Sequence, residues 1–304
     1  MTPSIVLDGV SRRYGGVTAL ESAKFQAEAG ETVALVGHNG AGKTTLMKLV
    51  LGLIRPSDGT VRVLGEDPAG RHGARVRSRI GFLPESVAFH AAMTGTELLA
   101  FYARLKGAPR AANAELLQRV GLAGAAGRRV GTYSKGMRQR LALAQALIGE
   151  PGILLLDEPT SGLDPESRHQ VYETIDALRS RGALILVSTH ALAEIERQVD
   201  RVVMLHRGRV VADGDVPSLR RQVPMPLRVR LRVRHCTTQR VLDRIEGAEV
   251  LDRGEEHLLL AVMPERRADL IHAIDGLREV IEEVEIESPG LETLYRHLTR
   301  GDAA

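Results

Sequence analysis

The sequence predicts an α/β protein built on a mostly parallel β-sheet, with a smaller α+β domain after it. Short apolar runs over 32–36, 153–157 and 184–189 alternate with segments of helical periodicity. Strands that are apolar on both faces are typical of parallel sheets covered by helices. Hydrophobic residues make up 43% of the chain and aromatic residues only 3%, so we expect an aliphatic core.

The chain opens with two strand patterns, Ile5-Val6-Leu7 and Phe25-Gln26-Ala27, on either side of a basic, glycine-containing turn at 12–16. The run over 32–36 then leads into a glycine-rich loop and a predicted helix over 43–53. A helical insertion is expected over about 84–150, with helices at 96–106, 112–120 and 136–148. Strands at 153–157, 184–189 and 202–206 follow, around a helix over about 165–181. This alternation predicts a parallel sheet.

A domain boundary is predicted near 217–226, where Pro217, Pro224 and Pro226 interrupt the pattern. We therefore place a first domain at 1–220 and an accessory domain at 221–304. Beyond the boundary, strands are predicted at 227–234, 248–252, 257–263 and 280–287, and helices at 237–246, 265–276 and 290–299. This βαββαβ order is typical of ferredoxin-like α+β domains.

Charge and cysteine content exclude little by themselves. The 41 basic and 38 acidic residues leave a net charge of +3, which gives no argument for nucleic acid. The arginines of 227–234 share one strand face, interpreted as a solvated face or subunit contact, with anionic lipid or nucleic acid as the alternative. The single cysteine, Cys236, indicates a reducing compartment, and beside His235 it does not make a metal site.

Targeting signals are not evident in the sequence. The first five residues lack the basic and apolar regions of a secretion signal, and no run approaches the roughly 18 apolar residues of a membrane span. We expect a soluble chain that needs a partner for any role at a membrane.

A phosphate-binding loop is predicted at Gly37-His38-Asn39-Gly40-Ala41-Gly42-Lys43-Thr44, between a strand and a helix. Its glycines let backbone N–H groups converge on phosphates, and the helix N-terminus adds positive potential. Lys43 would reach the β- and γ-phosphates, and the Thr44 hydroxyl would ligate Mg²⁺. The predicted nucleotide-binding residues here are Gly37, Asn39, Gly40, Ala41, Gly42, Lys43, Thr44 and Thr45.

Two acids follow the buried strand at 153–157. Asp157 can hold Mg²⁺ through water, while Glu158 can polarise an attacking water. The alternative is a helix cap, since Pro159 and Thr160 come next. Beside a phosphate loop we favour the catalytic interpretation.

A second predicted anion site opens the helix after Thr132, where Ser134 and Gly136 lie at the helix N-terminus. One nucleotide does not need two γ-phosphate sites in one chain. We therefore interpret this segment as facing the nucleotide of another subunit, with an ordinary N-cap as the alternative.

The order of phosphate loop, Ser134 segment, acidic strand, Ser161-Gly162-Leu163-Asp164 and Ser188-Thr189-His190 resembles an ABC transporter ATPase over residues 4–216. The resemblance implies the P-loop NTPase fold of that family, with an N-terminal antiparallel β subdomain and a helical insertion. It also implies hydrolysis of ATP with Mg²⁺, a head-to-tail dimer and a separate transmembrane permease. Tyr14 would stack on adenine, Asp164 would lie in the loop crossing the dimer, and His190 would contact the γ-phosphate.

Two positions depart from the family pattern. The signature, usually Leu-Ser-Gly-Gly-Gln, reads Tyr133-Ser134-Lys135-Gly136-Met137. Glu85 stands where a metal-contacting glutamine is usual, so it is the third predicted Mg²⁺ contact after Thr44 and Asp157.

The 82–87 segment, the signature and the C-terminal extension together resemble the ATPase of the nitrous-oxide reductase maturation transporter, which serves copper-centre assembly. This implies a peripheral position on the cytoplasmic face of the cell membrane and an extracytoplasmic maturation protein as a partner. A drug, lipid or polysaccharide exporter is the alternative. A soluble ABC ATPase is disfavoured, because Gly42 and Ser134 are too close for the coiled coil of DNA-repair members.

Overall fold

The computed structural model describes residues 4–300 except 197, 224 and 236. The expectations placed on Pro224 and Cys236 therefore lie outside the described residues. The chain divides into two units, one ending at Asp215 and one beginning at Val216. The helix Val216–Gln222, which spans the expected boundary at 220, belongs to the second unit.

The first unit is an α/β structure with two sheets. Its strands are β1 (Ile5–Tyr14), β2 (Val17–Ala27), β3 (Thr32–Val36), β4 (Asp58–Val63), β5 (Ile80–Leu83), β6 (Ile153–Asp157), β7 (Leu184–Thr189), β8 (Arg201–His206) and β9 (Arg209–Gly214). Its helices are α1 (Lys43–Val50), α2 (Gly73–Ser78), α3 (Gly95–Lys106), α4 (Asn113–Arg119), α5 (Lys135–Ala146), α6 (Pro165–Arg179) and α7 (Leu192–Ile195).

The larger sheet has the strand order β5-β6-β7-β3-β8-β9, parallel except for the edge strand β9. Every residue of β3, β6 and β7 is buried, as expected for strands covered on both faces. The register sets Asp157 beside Ser188 and Val36 beside Thr189. The carboxyl ends of these three strands therefore meet at one edge, which confirms the mostly parallel sheet and brings the phosphate loop close to both acids.

The smaller sheet is antiparallel, in the order β2-β1-β4, and confirms the expected N-terminal β subdomain. It shares one core with the larger sheet and with α1, whose Leu46, Met47 and Leu49 are buried in that core. The sequence reading missed β4 because most of its residues are exposed and it contains Gly59. The helix expected over 43–53 ends earlier, at Val50.

The helical insertion contains α3, α4 and α5, near the positions expected from periodicity. Thr94 begins α3 with a capping box: its hydroxyl accepts from the Glu97 N–H, and the Glu97 carboxylate accepts from the Thr94 N–H. Gly107 ends the helix in the left-handed conformation. The capping box and the terminal glycine explain why α3 of this insertion can be predicted from the sequence.

The second unit has the α+β order expected from sequence. Its elements are α8 (Val216–Gln222), β10 (Leu227–Val233), α9 (Thr238–Leu242), β11 (Glu249–Arg253), β12 (His257–Val262), α10 (Arg267–Asp275), β13 (Ile281–Glu287) and α11 (Leu291–Arg300). The sheet is antiparallel in the order β11-β12-β10-β13, which is the ferredoxin-like arrangement. The helix expected over 237–246 is shorter, five residues long.

The arginine face of β10 lies opposite acidic residues of β13. Arg230 forms a 2.6 Å ion pair with Glu285, and Arg232 lies 3.3 Å from Glu283. The other face of β10 carries Leu227, Val229, Leu231 and Val233 in the core of this unit. The arginines are exposed and partly neutralised, so this face is a solvated one and gives no argument for nucleic acid or lipid.

Candidate functional site

A cleft of about 910 Å³ opens at the carboxyl ends of β3 and β6. Its lining comes from the phosphate loop, the two acids and the turn between β1 and β2. The lining residues are Tyr14, Val17, Thr18, Ala19, His38, Asn39, Gly40, Ala41, Gly42, Lys43, Thr44, Thr45, Glu85, Asp157, Glu158 and His190. The structure thus brings together all the predicted site residues except Gly37, which lies at the start of the loop, and Ser134, Gly136 and Asp164.

Two loop glycines are required by close packing. A Cβ on Gly42 would lie 2.7 Å from the Ala19 carbonyl oxygen, and φ is +109° there. A Cβ on Gly37 would lie 2.5 Å from the Leu205 carbonyl oxygen. Neither position has room for a side chain. Glycine is therefore required at both for the loop to pack against these carbonyl groups on its way into α1.

Lys43 is buried and spans the phosphate loop from inside. Its Nζ donates to the carbonyl oxygen of Gly37, and to that of His38 at 3.3 Å. Burial lowers the pKa of Lys43, while the nearby carboxylates of Glu158, Asp157 and Glu85 act in the opposite direction. The ammonium therefore lies within electrostatic range of all three acids of the cleft, where an anionic ligand would meet it.

Asp157 is held between two hydroxyls. The Thr44 Oγ1 donates to Asp157 Oδ2 at 3.3 Å, and the Ser188 Oγ donates to the other carboxylate oxygen. Hydroxyl and carboxylate oxygens are the ligands that Mg²⁺ prefers, so Thr44 and Asp157 fit a magnesium ion. Glu85 lines the same cleft. Among the described residues, no three His, Cys, Asp or Glu side chains are grouped to hold a metal by themselves.

Glu158 is buried and has a strained backbone, with φ at +51° in a non-glycine residue. Its N–H donates to the carbonyl oxygen and to the Oγ of Ser188, each at 3.2 Å. The Nδ1 of His190, a side chain that is 63% exposed, lies 2.9 Å from Glu158 Oε2. The carboxylate is therefore aimed into the cleft and paired with an accessible imidazole.

Ser188 contributes to the site although no pattern in the sequence singles it out. In the sequence it is only one member of Ser188-Thr189-His190, yet its hydroxyl accepts from the Glu158 N–H and donates to Asp157. It is fully buried, and its place beside Asp157 follows from the pairing of β6 with β7. No signal in one sequence reveals that register.

Given the ATP hydrolysis that the family resemblance implies, replacing Ser188 with alanine is expected to lower turnover about tenfold to a hundredfold, because residues that orient a metal ligand have effects of that size. The half-saturating Mg²⁺ concentration should rise, as Asp157 loses one partner. A Mg²⁺ titration of ATPase activity measures both. Ser180→Ala is the control, since that hydroxyl donates to the Asp176 carbonyl oxygen at the end of α6, outside the cleft lining. An unchanged Mg²⁺ dependence in Ser188→Ala would contradict the assignment.

The segment around Ser134 lies outside the cleft lining. The Ser134 Oγ accepts from the Met137 N–H at 3.2 Å and caps α5. A Cβ on Gly136 would lie 3.8 Å from Asp164 Oδ2, so Gly136 and Asp164 are neighbours. Hydrogen bonds from Ser167 lower the pKa of Asp164 and keep it ionised at the start of α6. Within one chain, Ser134 therefore acts as the N-cap of α5.

Gln139 links this segment to the acidic strand. Its Nε2 donates to the Pro159 carbonyl oxygen at 3.2 Å, and the side chain is buried. Helix α5 and the residue after Glu158 are thereby joined. The sequence reading assigned no role to Gln139.

The fold and the cleft define a P-loop nucleotide-binding protein. A family model described as "ABC transporter" matches residues 20–161. The daunorubicin resistance ATP-binding protein DrrA3 of Streptomyces coeruleorubidus is 35% identical over 98% of this chain and 96% of its own length. The Nod factor export ATP-binding protein I of Burkholderia orbicola is 40% identical over 67% of this chain and 68% of its own length. The chain belongs to the ABC transporter ATP-binding family.

Solved structures agree with this assignment. An ATP-binding subunit of an ABC transporter is 34% identical with a TM-score of 0.67, over 73% of this chain and 93% of that one. A bacterial ABC transporter cassette solved as a dimer is 26% identical with a TM-score of 0.64, over 70% and 98%. The protein is thus an ATPase coupled to transport. Cassettes of this family form dimers and pair with transmembrane permease subunits. Within the described part of the chain, no helix could cross a membrane.

Proposed function

We propose that this chain powers an exporter of small amphipathic molecules, held on the cytoplasmic face of the cell membrane by its permease. The observation that carries the proposal is the relative named for daunorubicin resistance, which aligns with 98% of the chain and therefore with both units. A second relative, named for Nod factor export, supports the outward direction. The C-terminal unit, which begins at Val216 rather than at the expected residue 221, is then an accessory domain of an exporter ATPase.

Binding of ATP begins at the phosphate loop. The triphosphate replaces the Gly37 and His38 carbonyls as the partner of Lys43, and backbone N–H groups of the loop hold the remaining oxygens. Thr44 and Asp157 would hold Mg²⁺, which would supply neutralisation of phosphate charge. Tyr14 offers an exposed ring to the base at the other end of the cleft.

Hydrolysis needs a water aligned with the γ-phosphate. Glu158 orients this water and accepts its proton, and His190 holds the carboxylate through the 2.9 Å contact. His190 is exposed enough to donate to a phosphate oxygen as well.

The second half of each site comes from another copy. Ser134 and Gly136 lie at the N-terminus of α5, away from the cleft lining of their own chain. In a head-to-tail dimer they face the γ-phosphate held by the partner, with Asp164 between the two sites. Closing on ATP and opening after hydrolysis then alternates the state of the permease.

Coupling to the permease is assigned to the helical insertion. On α3, Phe101 is 41% exposed and Leu105 is 68% exposed. Phe101 contacts Tyr102, which also contacts Phe89 near the Glu85 segment. Exposed apolar side chains of this kind suit a protein surface rather than water.

The proposal is tested by co-purifying the chain with its neighbouring permease and measuring ATP-driven movement of daunorubicin in inverted membrane vesicles. Accumulation that stops in the Glu158→Gln variant is the expected result. Normal ATPase activity of the complex without movement of any amphipathic compound tried would overturn the assignment of cargo class but not of ATPase.

Copper-centre maturation of nitrous-oxide reductase is the second candidate. It is favoured by Glu85, which lines the cleft where a glutamine is usual in the family, and by the Lys135-Gly136-Met137 signature. An extracytoplasmic maturation protein would then be a further partner. Deleting the gene should leave nitrous-oxide reductase without its copper centre if this holds, whereas an intact copper centre would exclude it.

A further inference from the structure

Arg12 packs on the ring that is proposed to receive the base. Arg12 and Tyr14 are two residues apart on β1, so their side chains share one face of the strand. The guanidinium carbon lies 4.5 Å from the centroid of the Tyr14 ring, a cation–π contact. One face of the ring is therefore covered, while the side chain as a whole remains 43% exposed at the cleft.

The guanidinium is anchored from its other side. Its Nη1 donates to the Arg55 carbonyl oxygen at 2.9 Å, in the segment that follows α1. Arg55 in turn donates to the Ala69 carbonyl oxygen at 2.9 Å. The Arg12 Nε is buried and has no hydrogen-bond partner within the described structure. Leaving a donor unpaired costs free energy, so the ring and the Arg55 carbonyl must together hold the side chain in place.

We infer that Arg12 is a positioning residue of the nucleotide site, which covers one face of Tyr14 and leaves the opposite face for the base of ATP. This rests on the proposed stacking of the base on Tyr14. A ring that is already held in one orientation loses less conformational entropy when a ligand stacks on it. Stacking is tolerant of base identity, so Arg12 should raise the affinity for any purine nucleotide. It should not change the affinity for a phosphate chain that carries no base.

The test compares two ligands of the same phosphate loop, ATP and inorganic tripolyphosphate, which has no base. In Arg12→Ala, ATP binding measured by calorimetry should weaken about threefold, the size of an exposed cation–π contact. Tripolyphosphate binding should not change. Arg13→Ala is the matched control, because its side chain pairs with Asp58 at 2.6 Å, and both ligands should bind it as they bind wild type.

A double-mutant cycle separates positioning from a purely structural role. In a Tyr14→Ala background, Arg12→Ala should cause no further loss of ATP affinity. Arg12→Lys keeps the charge and should restore part of the affinity, whereas Arg12→Met should not. The chain contains no Trp, so Tyr14→Trp provides a single fluorescent reporter whose emission should shift when Arg12 is replaced, before any nucleotide is added.

Each outcome is decisive. If Arg12→Ala weakens ATP and tripolyphosphate equally, Arg12 acts on the packing of the phosphate loop and the inference is wrong. If Tyr14→Ala weakens ATP while Arg12→Ala has no effect, only the inference fails. If Tyr14→Ala itself leaves ATP binding unchanged, the base does not stack on Tyr14. The proposed stacking is then wrong, and the role of Arg12 that rests on it is wrong as well.

Discussion

Replacing Glu158 with glutamine is expected to lower steady-state ATP hydrolysis by orders of magnitude and to leave ATP binding intact. The amide keeps the shape of the side chain but cannot accept a proton from the attacking water. Loss of general-base action typically costs about 10²–10⁴-fold in rate. Because the Glu158 N–H still donates to Ser188, the cleft should keep its form and its affinity for ATP. Phosphate release and ATP affinity, measured on the same preparation, check both halves of this expectation.

The Glu158→Gln variant should also accumulate an ATP-bound dimer, because the closed dimer opens only after ATP has been hydrolysed. Glu166→Gln is a suitable control, because this exposed acid lies in the first turn of α6 outside the cleft lining. Normal turnover by Glu158→Gln would remove the residue from the reaction and leave the acidic strand without its proposed role.

Replacing Lys43 with alanine removes the buried cation that meets the phosphates. We expect ATP affinity to fall about tenfold to a hundredfold, because a hydrogen bond to a charged group contributes about 1.5–3 kcal/mol. Turnover at saturating ATP should fall as well, since Lys43 also stabilises charge that develops on the transferred group. Calorimetric titration with ATP measures the first effect, and steady-state kinetics measure the second.

Lys48→Ala provides the matched control, because Lys48 lies on the same helix and is exposed. It should bind ATP as wild type does. Equal affinities in Lys43→Ala and wild type would contradict the placement of the triphosphate in the phosphate loop.

The phosphate loop and the buried strands beside it could be predicted from the sequence for physical reasons. Gly37 and Gly42 are required because a Cβ at either position would collide with a backbone carbonyl oxygen, so this part of the loop pattern predicts its own conformation. The buried strands β3, β6 and β7 are short apolar runs, and the polar residues at and after their carboxyl ends form the cleft. Local sequence therefore predicted most of the cleft lining.

Contacts between distant parts of the chain could not be predicted in this way. The pairing of Ser188 with Asp157 depends on the register of β6 with β7. The hydrogen bond from Gln139 to the Pro159 carbonyl oxygen depends on how α5 packs. The hydrogen bond from Arg12 to the Arg55 carbonyl oxygen joins residues that are 43 positions apart in the sequence. Strand β4 does not stand out in the sequence because only two of its six residues, Val61 and Val63, are buried, which is too short an apolar pattern to predict a strand.

Each ATP is proposed to be hydrolysed between the phosphate loop of one chain and the Ser134 segment of another. The most direct test mixes a Lys43→Ala chain with a Ser134→Arg chain, each inactive alone, and measures ATPase activity. Only the mixed dimer contains one intact composite site, so mixing is expected to restore hydrolysis at one site per mixed dimer, while the two homodimers stay inactive. A mixture that forms dimers yet stays inactive, while wild type hydrolyses ATP as a monomer, would contradict it.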